Sequence, residues 1–180
     1  TNSTNSTNST NSTNSTNSTN STNSTKFKRP SWDEYFLTIA KLTSERSNCI
    51  KRKVGCIIVK NNRILSLGYN GTPIGSKNCY EGGCKRCIDQ YTNNMENSSA
   101  KSLDLCMCLH AEENALLFNK KEDLEHSTMY VTLIPCISCV KKIVQCKISR
   151  VVYIDDYNPD LDIQSKQILH QNNIELVKYI

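Results

Sequence analysis

MYVTLIPCISCVKKIVQCKISRVVYI, residues 129–154, is the stretch on which the fold turns. MYVTL (129–133) and RVVYI (150–154) are short runs rich in β-branched and aromatic residues, which reads as two strands. Between them CISCVKKIVQC (136–146) carries apolar residues at helical spacing. The CxxC pair Cys136 and Cys139 falls at the start of that helix, just after Pro135.

Working outward, CLHAEENALL (108–117) places His110 and Glu112 at the head of an amphipathic helix of about residues 110–119. Downstream, DLDIQSKQILHQ (160–171) reads as a helix and IELVKYI (174–180) as a strand. Upstream, VGCIIVK (54–60) and RILSLGYN (63–70) are β-type runs joined by Asn61-Asn62, a hairpin signal. SWDEYFLTIAKLTSERS (31–47) has a capping Ser31 and apolar or aromatic residues at 32, 35, 36, 39 and 42, so it is the first helix. Trp32, Tyr35 and Phe36 are expected to pack into the core. Residues 71–108 are rich in Gly, Cys, Asn and Lys without periodicity, so they read as a long loop that needs a device to hold it. A hairpin followed by alternating helices and strands implies an α/β fold, a mixed five-stranded sheet between helical layers.

Residues 1–25 repeat Thr-Asn-Ser with no charge and nothing to bury, so this tract is expected to be disordered, and residues 26–180 are expected to form one domain. Those roughly 155 residues suffice for a real core. All 22 Lys+Arg and 17 Asp+Glu lie there, giving a net charge of +5. That balance favours anionic partners without separating nucleotides from nucleic acids. The Asn-Ser-Thr triplets match a glycosylation acceptor, but no apolar export segment precedes them and no run is long enough to span a membrane. The ten cysteines are therefore expected to be metal ligands or free thiols in a reducing, cytoplasmic setting.

Two thiolates at one helix start and an imidazole at another make three ligands, His110, Cys136 and Cys139, for one zinc ion. A fourth, open position marks a catalytic rather than a structural site. Glu112, near the metal without ligating it, is then the proton carrier. Alone, a helix-capping His is usually structural, and a CxxC is as often redox; in this order, HxE…PCxxC is the signature of zinc nucleobase deaminases. A second cluster, Cys79, Cys84 and Cys87 with one of Cys106 or Cys108, is read as a closed structural zinc site, Cys106 being preferred. Free loop thiols are the alternative. Cys56 and Cys146 read as core residues, and Cys49 has no assignment.

The chain resembles the deoxycytidylate (dCMP) deaminase family over nearly all of 31–180, and its fungal-type members most. The resemblance is carried by SNCIKRKVGCIIV (47–59), GYNGTP (68–73), NCYEGGCKRC (78–87), CMCLHAEENALL (106–117) and VTLIPCISCVKKIVQCKISRVVY (131–153). It implies a cytidine-deaminase-like α/β/α fold, one catalytic zinc, and hydrolysis of dCMP to dUMP and ammonia. It further implies that Asn70 reaches the sugar and that Tyr157 packs near base or sugar. Homohexamers raised by dCTP and lowered by dTTP, with Mg2+ accompanying the effector, are also implied. Asn48 and Arg52 are candidates for the 5′-phosphate, which needs cationic or amide donors. Each of these four residues also has an ordinary reading: turn residue for Asn70, loop aromatic for Tyr157, solvated surface for Asn48 and Arg52.

The rival readings are a zinc deaminase of tRNA adenosine, cytidine or guanine, and a noncatalytic zinc-stabilised binding module. No nucleic-acid partner is expected, because the sequence carries no basic carboxy-terminal helix.

Overall fold

The computed structural model describes residue 1 and residues 28–92 and 105–180. The disorder expected of the 1–25 tract falls, Thr1 apart, outside them. The elements are α1 (Trp32–Ser44), β1 (Gly55–Lys60), β2 (Arg63–Tyr69), a 3-10 turn (Cys79–Glu81), α2 (Lys85–Thr92), α3 (Ala111–Leu117), α4 (Lys121–Leu124), β3 (Thr128–Leu133), α5 (Ile137–Gln145), β4 (Arg150–Asp155), α6 (Pro159–Gln171) and β5 (Glu175–Lys178).

The five strands form one mixed sheet in the order β2-β1-β3-β4-β5. β1 pairs antiparallel with β2 and β3, whereas β3, β4 and β5 run parallel. The β1–β2 turn puts Asn61 and Asn62 at φ 52° and 58°. Two successive left-handed residues match the strand twist, and Asn tolerates that region better than most residues.

Alternation along the strands divides the core. Cys56, Ile58, Met129, Val131, Val151 and Tyr153 face α3, α5 and α6. Ile57, Val59, Tyr130 and Val152 face α1 through Phe36, Leu37 and Ala40. Helices thus cover both faces, the three-layer α/β/α arrangement expected from the sequence.

Several local features differ from the sequence reading, among them the short helix α4, which it did not contain. The 71–108 segment contains α2 and the 3-10 turn, and Cys87 of α2 is buried in a cluster of cysteines. Its helix is held by that tertiary contact, so no apolar periodicity announced it. Trp32 is 50% exposed and stacks on buried Phe36 with ring centroids 5.5 Å apart. It covers the end of the core instead of filling it.

Candidate metal centre and substrate cavity

The first two ligands come from helix starts. His110 is the N-cap residue of α3 and Cys136 that of α5. Glu113 fixes their relation: its carboxylate accepts the His110 N–H at 2.8 Å and pairs with Lys142 of α5. α3 is pressed against the sheet at Gly68, where a Cβ would meet the Ala111 carbonyl at 2.1 Å. Only glycine permits that approach. Asn114 Nδ2 donates to the Tyr69 carbonyl at 2.6 Å, and Gly71 and Leu109 exchange backbone hydrogen bonds of 3.1 and 2.8 Å. These contacts bring the segment before α3 to the end of β2.

In consequence, His110 Nδ1 lies 3.4 Å from both Cys136 Sγ and Cys139 Sγ. Tetrahedral zinc with Zn–N about 2.0 Å and Zn–S about 2.3 Å requires N···S of about 3.5 Å. The two sulfurs and the nitrogen therefore fit zinc in both chemistry and spacing. Among the described residues, no fourth His, Cys, Asp or Glu joins the group. The Cys136 thiol is brought down to about 4 by hydrogen bonding from Cys139 and from His110, against its burial. Cys136 in turn raises His110 to about 9, while Cys139, beside that sulfur and buried, is pushed upward. A divalent cation at this site competes with protons for the same electron pairs.

Glu112 is 4% exposed, and burial pushes its carboxyl up to about 7 against the pull of His110. It lines, together with His110 and Cys136, a cavity of about 1170 Å³. Lys51, Arg52 and Arg86 line the same cavity, as do Asn70 and Tyr157. Arg52 lies over the Tyr157 ring at 4.9 Å from the centroid, so the two form one stacked wall.

The four nucleotide candidates part company here. Asn70 is 9% exposed; its Oδ1 accepts from Val54 N and Ser47 Oγ, each at 2.8 Å, and its Nδ2 donates to the Arg52 carbonyl at 2.8 Å. It clamps the loop before β1, with one amide hydrogen left over. Asn48 is not among the cavity-lining residues. Its side chain joins Thr72 and Asn78, accepting from Thr72 N at 3.1 Å and donating to Asn78 Oδ1 at 2.9 Å. Lys51 and Arg86 also line the cavity; the sequence signals for them are the basic runs CIKRK (49–53) and CKRC (84–87).

The second cysteine cluster also departs from expectation. The structure groups Cys49, Cys79, Cys87 and Cys108 on one side and Cys84, Cys87, Cys106 and Cys108 on the other. The expected set of Cys79, Cys84, Cys87 and Cys106 is therefore split, and neither Cys106 nor Cys108 replaces the other. Cys49 takes part because the turn after α1 folds back over this loop. Cys56 is fully buried in the core, as expected.

Comparison with known proteins matches residues 30–155 to the cytidine and deoxycytidylate deaminase zinc-binding region. The deoxycytidylate deaminase of Schizosaccharomyces pombe is 46% identical over 153 residues, which cover 84% of this chain and 45% of that one. The chain thus spans about half the length of this yeast relative. The deoxycytidylate deaminase of Mycobacterium phage D29 is 42% identical over 125 residues, covering 69% of this chain and 95% of that one. The crystal structure of the cyanophage S-TIM5 dCMP deaminase in complex with dCMP and dUMP aligns with TM-score 0.64 and 32% identity, over 84% of this chain and 99% of that one. The chain belongs to the family of cytidine and deoxycytidylate deaminases with a zinc-binding region.

Proposed function

We propose that the chain hydrolyses dCMP to dUMP and ammonia, supplying dUMP for thymidylate synthesis. One observation carries this reading: a His110, Cys136, Cys139 group of zinc-binding spacing beside a buried Glu112, at the wall of a cavity that also presents cations. Likeness to the phage enzyme solved with dCMP and dUMP supports the substrate.

Zinc bound at the three donors supplies Lewis acidity and lowers the pKa of water toward neutrality. The Glu112 carboxylate takes a proton from the water that adds to C4 of the cytosine ring. It delivers that proton to N3, then carries the proton of the C4 hydroxyl to the exocyclic amine, so that C4=O forms as the C4–N bond breaks and ammonia leaves. Burial, which raises this carboxyl above its ordinary value, favours a group that can both accept and donate a proton. Tyr157 packs against base or sugar, and Asn70 offers its remaining amide hydrogen to the sugar. Arg52, with Lys51 and Arg86, meets the 5′-phosphate, for which a basic wall is the required chemistry. Asn48 acts behind them by holding the 70–72 and 78 loops together.

The same reading extends to a homohexamer regulated by dCTP and dTTP with Mg2+, and to a reducing cytoplasmic setting. None of the ten cysteines is joined in a disulfide, and no helix among the described residues is long and apolar enough to cross a membrane. The direct test is ammonia release from dCMP, CMP, deoxycytidine, cytidine, guanine and adenosine-containing RNA. Turnover of dCMP well above the others is the expected result. Preference for RNA or for an unphosphorylated nucleoside would overturn the substrate assignment.

A further inference from the structure

Six cysteines outside the catalytic group converge on one point: Cys49 from the turn after α1, Cys79 from the 3-10 turn, Cys84 and Cys87 from the start of α2, and Cys106 and Cys108 from the segment before α3. They form two sets of four, Cys49, Cys79, Cys87, Cys108 and Cys84, Cys87, Cys106, Cys108, with all sulfurs of a set within 4.8 Å of one another. The sets share Cys87 and Cys108. We propose that this is a binuclear zinc–thiolate cluster, in which two Zn2+ ions are bridged by the Cys87 and Cys108 sulfurs and each is completed by two terminal thiolates, Cys49 and Cys79 on one ion, Cys84 and Cys106 on the other.

The spacing matches this chemistry. Cys106 Sγ stands 3.8 Å from Cys84 Sγ and 3.9 Å from Cys87 Sγ. A tetrahedral zinc with Zn–S of about 2.3 Å sets its sulfurs about 3.8 Å apart, whereas a disulfide would bring two sulfurs to about 2.0 Å. A single zinc has four positions and would leave two of the six thiols without a metal in the same closely packed group. Two ions sharing two sulfurs give each metal four donors and employ every thiol. Cys79, Cys84, Cys87 and Cys108 are buried, so the centre is closed, as a structural site is.

Loading the cluster releases six protons, one from each thiol, to solvent. Two divalent ions and six thiolates then carry a net charge of −2. The surroundings suit that charge. Basic residues are interleaved with the ligands, Lys51 and Arg52 after Cys49, and Lys85 and Arg86 between Cys84 and Cys87.

The cluster is also a wall of the substrate cavity: Cys49, Cys87, Cys106 and Cys108 line it beside Lys51, Arg52 and Arg86, and Cys108 precedes His110 by two residues. Two bridged ions tie the turn after α1 to the segments of residues 79–87 and 106–108, adding to the hydrogen bonds from Asn48 to Asn78 and from Lys51 to Gln90. They thereby set the positions of the cationic wall and of the approach to α3.

The test is metal analysis of the full chain purified without chelators, with zinc X-ray absorption. Three zincs per chain are expected, one in the His110 group and two in the cluster, with a zinc–zinc distance below about 4.6 Å, twice the Zn–S length. His110→Ala should lose one zinc and keep the zinc–zinc signal, which separates this proposal from the catalytic assignment. Cys84→Ser with Cys106→Ser should lose one zinc and the zinc–zinc signal together. Should that variant not fold, the His110→Ala chain loaded with 113Cd gives the answer: two resonances coupled to each other are expected. Two zincs in the wild-type chain with no metal–metal signal, a single or uncoupled cadmium resonance, or iron with labile sulfide in place of zinc would overturn the proposal.

Discussion

His110 and Cys136 are the N-cap residues of two different helices, and their ring nitrogen and sulfur stand 3.4 Å apart. Neither helix could make the site alone. Replacement of His110 by Ala leaves two sulfurs for a metal that needs at least three protein donors to stay bound with an open position. His110→Ala is expected to lose the catalytic zinc and with it dCMP turnover, measured as metal content and ammonia release.

Glu112 has a different signature. Glu112→Gln keeps the volume and polarity of a buried side chain but cannot exchange protons. Zinc content should stay as in the wild type while kcat falls by about 10²–10⁴. A variant that retains both zinc and turnover would remove Glu112 from the chemistry.

Gly68 of β2 lies under the first turn of α3, and a methyl group there would overlap the Ala111 carbonyl. Gly68→Ala should force α3 outward, lowering stability by about 1–3 kcal/mol in urea unfolding. Because His110 caps that helix, zinc affinity should fall in parallel.

Asn70 combines a structural duty with a proposed contact to sugar. Asn70→Ala strips the acceptor from the buried Val54 N–H, at a cost of about 1–3 kcal/mol. Unfolding midpoints report that loss. A raised KM for dCMP in the folded protein reports the sugar contact, and an unchanged KM would confine Asn70 to the loop.

Asp33 of α1 and Arg150 of β4 form two hydrogen bonds of 2.8 and 2.9 Å across 117 residues of sequence. The guanidinium holds the Asp33 carboxyl below its ordinary value of 3.8, against some burial. A depressed carboxylate stabilises the fold above its unfolded pKa and loses that contribution as pH falls through the folded value. The difference in thermal midpoint between the wild type and Asp33→Asn should therefore be full above about pH 5 and shrink below about pH 4. A difference independent of pH would mean that the substitution disturbs only packing.

The residues themselves settled the order of the five strands and of α1, α3, α5 and α6, and pointed to the grouping of His110 with Cys136 and Cys139, because these depend on short-range physics. Period-two and helical patterns, the Asn61-Asn62 turn, and two ligand groups placed at helix starts are local facts. The fold decided matters that depend on distances between remote segments. Cys49 and Cys79 are far apart in sequence, yet their sulfurs share one set, while the near neighbours Cys79 and Cys84 fall into different sets. Spacing in the chain constrains a pair only when regular structure lies between its members, and the segment around α2 has little. The same holds for Asn48: only the packing of three loops shows its amide bridging Thr72 and Asn78 behind the cavity. Side-chain hydrogen bonds between loops obey no sequence period, so they become legible only when the chain has folded.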